Sequence, residues 1–163
     1  MLVLNIYVKP YLAEYARRRY PGPINGTVMF PAASLVNHAL VNSLVEKPTV
    51  DYGERKSNLQ VIVNEKICDL KDVDRFNFLT YRGENNVGEK LLLDFDMFLH
   101  SYMDRQRYHN GVDYKGSAQT FVEKYGLTGM VTPEALLKKH VRWKKKVTKY
   151  RTEGVQLKME FKK

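Results

Sequence analysis

An α+β fold is predicted, with a small mixed sheet formed partly by the N- and C-terminal strands and a predominantly helical C-terminal half. Three observations predict it. Apolar and polar side chains alternate at period two over residues 2–8 and again over 155–161. The same alternation recurs in the interior at Leu59, Val61 and Val63. Between 89 and 151 the apolar residues instead recur at helical spacing. With 44% hydrophobic residues, the 163-residue chain has enough apolar surface to bury a core rather than stay disordered. It suits one domain spanning 1–163, with a subdivision into an α+β part (1–88), a helical part (89–151) and a returning strand (152–163) as the alternative.

In order along the chain, Leu4, Ile6 and Val8 mark the first strand. Pro10 is suited to the first position of a short helix over 11–19, which Pro21-Gly22-Pro23 ends. Residues 27–30 read as a second strand. A helix over 32–45 follows, with Val36, Leu40 and Leu44 at i, i+4, i+8. Residues 47–57 are polar and contain Pro48 and Gly53, so a loop is expected there. After the strand at 59–63, residues 72–81 read as a short helix. Leu91, Phe95, Phe98 and Tyr102 then define the core-facing stripe of a long helix over 89–108, broken by Asn110-Gly111. Asp113 is placed to cap a helix carrying Ala118, Phe121, Val122 and Tyr125, with Gly126 at its C′ position. Thr132-Pro133-Glu134 starts the last helix with a hydroxyl cap, a proline and an acid near the positive dipole end, and that helix is expected to run to about Arg151.

The net charge of +9 is confined to one place. Of 27 Lys/Arg residues, 11 fall in residues 138–163 against only Glu153 and Glu160, so the rest of the chain is neutral. On a helix starting at Pro133, Lys138, Arg142, Lys145 and Lys149 form a continuous row. Leu136, Trp143, Val147 and Tyr150 form a second stripe about 140° away, with Lys139 and Lys146 between the two. One side is thus expected to be buried and to anchor the helix through Trp143, Val147 and Tyr150. Repeated like charges weaken an isolated helix by roughly 0.2 to 0.5 kcal/mol per pair, a cost that phosphates relieve. Lys138, Lys139, Arg142, Lys145, Lys146 and Lys149 are therefore the expected nucleic-acid-binding residues, with DNA the first partner and RNA an alternative. Docking on an acidic protein partner is a further reading. The blandest is a solvated face that aids solubility and complements the helix dipole.

Two helices joined by a short turn, the second basic, outline a helix-turn-helix, although the gap here from Tyr125 to Thr132 is longer than the usual turn of about three to four residues. The cations lie in the middle and end of the second helix rather than at its start, which favours phosphate contact over base readout. The stretches FVEKYGL (121–127) and TPEALLKKHVRWKKK (132–146) resemble the C-terminal part of small uncharacterised proteins of bacterial mobile elements and prophages. That resemblance implies a DNA-associated role, brings no catalytic motif with it, and does not extend to residues 1–90.

No catalytic constellation is legible. His38, His100, His109 and His140 lack ligand spacing and read as packed or surface histidines. Asp94 and Asp96 diverge by about 160° on one helix and cannot share a metal there. Glu54-Arg55-Lys56 with Asp51 imitates part of a nuclease motif but sits in a polar loop. Arg17, Arg18 and Arg19 read as the exposed side of a helix. Tyr7, Tyr11, Tyr15 and Tyr20 suit a core edge as well as base stacking. The single cysteine, Cys68, points to a reducing compartment, and residues 1–8 lack a secretory-signal pattern. A cytoplasmic, non-enzymatic protein without cofactor or metal and without membrane contact is the expectation.

Overall fold

In the computed structural model, the described residues are 1–49, 53, 56–64, 72 and 74–160, with side chains described as far as 151. The segment Val3–Ile6 (β1) buries Leu4 and Ile6 and exposes Val3 and Asn5. A helix Pro10–Arg19 (α1) follows, with Pro10 in its first turn, then a short strand Thr27–Val28 (β2). Ser34 caps the helix Leu35–Asn42 (α2) by accepting from Asn37 N at 3.1 Å. Next come Leu44–Val45 (β3), Leu59–Ile62 (β4) and Phe78–Leu79 (β5). The C-terminal half holds three helices, Tyr81–Asn110 (α3), Tyr114–Lys124 (α4) and Pro133–Glu160 (α5).

The fold is α+β, with a sheet in strand order β1-β4-β2. It is mixed because β4 pairs antiparallel with β1 (Val3 opposite Ile62) and parallel with β2 (Val28 opposite Val61). A second small ribbon pairs β3 with β5.

Three expectations need correction. The helix expected over 32–45 spans Leu35–Asn42, and Leu44–Val45 form a strand paired with Phe78–Leu79 instead. Residues 155–160 continue α5 and do not return to the sheet. Their period-two pattern loses to the helix already propagating from Pro133, where each added residue gains a hydrogen bond without a new nucleus. Lys, Glu, Gln, Leu and Met in this stretch are also strong helix formers. The short helix expected over 72–81 is likewise absent from its described residues. Phe78–Leu79 is instead a strand, and α3 starts at Tyr81, eight residues before the expected start.

That early start was hidden by Gly83 and Gly88, each weakening a helix by about 1 kcal/mol relative to alanine. Packing compensates. Thr80 caps α3 by accepting from Gly83 N at 3.1 Å, and the absent Cβ of Gly83 lets the end of α2 approach. A Cβ there would lie 3.0 Å from Ser43 Cβ and 2.9 Å from Leu79 Cδ1.

Down its length α3 carries a core stripe with Leu91 and Phe95 buried as expected, continued by Leu99 and Met103, while Phe98 and Tyr102 are half-buried beside it. Phe95 meets the rings of Tyr11, Tyr15 and Phe121 at centroid distances of 5.4, 5.0 and 5.8 Å. Its polar flank fixes α1. Asp94 accepts from the hydroxyl of Tyr15 at 3.0 Å and from that of Tyr20 at 2.9 Å. Burial, reinforced by the Asp94 charge, pushes the Tyr15 hydroxyl well above its ordinary pKa, so it remains a donor. The arginines of α1 are engaged rather than simply solvated. Arg17 and Arg18 pair with Glu14, and Arg19 lies 3.7 Å from the Phe98 ring centre.

Gly83→Ala should cost about 1 to 3 kcal/mol through overpacking between α2 and α3, despite the better helix propensity of alanine. Urea denaturation checks this; an unchanged or raised midpoint would show that the two helices are not in close contact there.

Candidate nucleic-acid interface

Asp113 caps α4 by accepting from Gly116 N at 2.8 Å, and Gly126 ends it with φ +65°. After the turn, Thr132 Oγ1 accepts from Ala135 N at 3.2 Å and opens α5. Along α5, Leu136 and His140 are buried and Trp143 and Val147 are half-buried. Lys138, Arg142, Lys145, Lys146 and Lys149 are exposed on the side turned away from them. Tyr150 does not anchor the helix: it is 71% exposed, because the packing partners end before the helix does.

What orients α5 is a polar seam with α3. Asp96, His100, Asp104 and Tyr108 recur at i+4 on α3, and each meets a residue of α5. Asp96 pairs with Lys139. His100 Nδ1 lies 3.0 Å from His140 Nδ1, both side chains being buried. The Trp143 ring stacks on His100 at 4.4 Å and 11°. Lys144 Nζ reaches Asp104 Oδ1 at 3.0 Å, Tyr108 Oη at 3.1 Å and Tyr114 Oη at 2.5 Å. The Tyr114 hydroxyl also donates to Asp104 at 3.2 Å, tying the start of α4 to the same point.

The protonation pattern follows from these neighbours. His140 Nε2 sits 3.3 Å from Asp104 Oδ1, at an angle short of a formed hydrogen bond. A proton on that nitrogen is favoured by the carboxylate, leaving His140 Nδ1 to accept from His100 Nδ1–H. Burial, then the proximity of His140 and Lys139, pushes His100 down to about 4. Burial also lowers His140, against the opposing pull of Asp104. For Lys144, burial opposes the charge, but hydrogen bonds donated to Tyr114, Tyr108 and Asp104 outweigh it and raise the pKa. The pair is neutral and Lys144 charged near pH 7.

Of the six expected contact residues, Lys139 is committed to Asp96, whereas the others remain on the outer face. Among the described residues, Lys138, Arg142, Lys145 and Lys146 make no ion pair. Sequence reasoning passed over Lys144, Tyr108 and Tyr114, although the i+4 recurrence of Asp96, His100, Asp104 and Tyr108 was a usable signal.

The other candidates are accounted for by packing where they are described. His38 and His109 are exposed, Tyr15 is buried, and Asp94 and Asp96 hold different elements. Cys68, Asp51, Glu54 and Arg55 lie outside the described residues. Among the described residues, no group of three His, Cys, Asp or Glu is arranged to hold a metal, and no helix is long and apolar enough to cross a membrane. A cavity of about 640 Å³ between residues 7–12 and the first turns of α3 is charge-balanced, with Lys9 and Lys56 offset by Glu84 and Glu89. No family model, curated protein or solved structure matches the chain.

Because His100 is held near 4, below the ordinary value of 6.5, the unfolded chain binds more protons between those two values. Stability should therefore fall as pH drops from about 6.5 to about 4, and His100→Phe should flatten part of that loss. Thermal melts across this range check it. Equal pH slopes for the two proteins would remove His100 as a contributor.

Proposed function

We propose that this protein binds nucleic acid, DNA in the first instance, by laying the outer face of α5 along the phosphate backbone, and that it acts as a binding protein rather than an enzyme. The observation that carries this reading is the exposed row Lys138, Arg142 and Lys146, continued by Lys145 and Lys149, opposite the seam that holds α5 to α3. At 1.5 Å rise per residue the row extends over about 16 Å, long enough to follow several phosphates. Each phosphate neutralised releases condensed counterions, so a small number of cations acting together provides useful, salt-sensitive affinity. The first turn of α5 offers Glu134 and Ala135 to solvent, not the donor side chains that read base edges. The surface therefore supports backbone contact without a sequence code.

The triple variant Lys138→Glu, Arg142→Glu, Lys146→Glu should lose binding to random duplex DNA while retaining the wild-type helical signal. In anisotropy titrations across a salt series, wild-type log K should fall linearly with log salt. The variant, where binding is measurable, should show a slope smaller by about 2 to 3. Undiminished affinity in a folded variant would overturn the assignment, as would wild-type binding indifferent to salt.

A further inference from the structure

A cleft of about 490 Å³ opens beside the basic row, between the start of α4 and the middle of α5. Tyr114 and Val141 contribute ring and branched apolar surface, with Thr148 further along, and Lys144, Lys145 and Lys149 also line it. This is the most cationic stretch of the chain, yet the wall of the cleft is mainly apolar. A phosphate alone gains nothing from such a wall. A flat, weakly polar ring carrying a phosphate gains on both counts, and the volume falls within the roughly 300 to 1,000 Å³ typical of small-ligand sites.

We infer that the cleft accepts one unpaired nucleotide of a single strand, its base against Tyr114 and Val141 and its flanking phosphates at Lys145 and Lys149. This rests on the nucleic-acid reading above and narrows it from nucleic acid in general to single-stranded nucleic acid. In a duplex the faces of each base are covered by its stacked neighbours, so only an unpaired base can offer a face to Tyr114. The ring is pre-set for that role. Its hydroxyl is held by Lys144 at 2.5 Å and Asp104 at 3.2 Å, so little rotational freedom is lost when a base stacks on it. Tyr108, 71% exposed, accepts from the same Lys144 and so helps to hold the cation that fixes Tyr114. Val141, 40% exposed, is otherwise an apolar side chain left to water amid lysines.

The test compares three probes at equal phosphate concentration: oligothymidylate, an abasic oligomer of the same length, and duplex DNA. The wild-type protein should bind oligothymidylate about 5- to 100-fold more tightly than the abasic strand, the range expected for one stacked base. It should also prefer oligothymidylate to duplex. Tyr114→Ala should erase that preference, and Tyr114→Phe, which keeps the ring, should retain most of it. Equal binding of all three probes by the wild-type protein would overturn the cleft assignment and leave phosphate binding by α5 standing. Binding to none of them would remove the broader nucleic-acid reading, and the cleft assignment with it. Should Tyr114→Ala fail to fold, the wild-type comparison of oligothymidylate with the abasic strand decides the matter alone.

Discussion

The seam between α3 and α5 determines what this molecule can present to its surroundings. Helix α5 has lysine or arginine at seven of the twelve positions from 138 to 149, and such a helix has no strong reason of its own to form or to face one way. Its orientation comes from contacts that tolerate only one rotation. Leu136 and the His140 imidazole are buried, Lys139 meets Asp96, and Lys144 meets Asp104. Turning the helix by about 100° would put Lys139 or Val141 where His140 sits and take Lys139 and Lys144 away from Asp96 and Asp104. A lysine in the buried place of His140 would lose its hydration without gaining a partner, so the polar seam acts mainly by excluding other arrangements. The exposed row is a consequence of that exclusion.

Helix α3 performs the complementary task on its opposite flank. Asp94 and Asp96 are separated by one residue, Phe95, which points into the aromatic core. Asp94 gathers the hydroxyls of Tyr15 and Tyr20, while Asp96 takes Lys139. Two acids that diverge around a helix cannot share an ion, but they can hold different neighbours. Here they set α1 and α5 against one spine. Partial exposure of the Lys139–Asp96 pair limits its energy to roughly the 0.2 to 1 kcal/mol of surface pairs. Phe95, in contact with three aromatic rings, provides the larger stabilising share and the carboxylates provide direction.

Where local signals were strong and mutually consistent, the sequence was legible. Asp113 and Gly126 bounded α4 because each carries its own cap chemistry, and Thr132-Pro133 opened α5 in the same way. The stripe of α3 was readable from its apolar spacing. Its first turns were not, because Gly83 and Gly88 lower intrinsic propensity and a contact with α2, distant in sequence, overrides them. Residues 155–160 misled for a different reason. A short alternating pattern fits a strand only if a strand edge is within reach, and pairing partners are not local information. The cationic row was legible from spacing alone. The roles of Lys144 and Tyr114 were not, since they depend on α3, α4 and α5 converging at Asp104.

Extending α5 to Glu160 also changes how the row should be understood. Cations in the last turn of a helix are stabilised by its dipole, and a helix ending near Arg151 would have let Lys149 draw on that effect. With the end at Glu160, Lys149 stands eleven residues from the terminus and Lys138 twenty-two. The dipole interaction decays within about one turn, so it offers these side chains almost nothing. Residues 1–137 hold both signs interspersed at zero net charge, so the excess positive charge is confined to this last part of the chain. Mutual repulsion among Lys138, Arg142, Lys145 and Lys146 is thus left without an offset among the ion pairs described, and an anionic ligand with regularly spaced charges is the chemistry that supplies one.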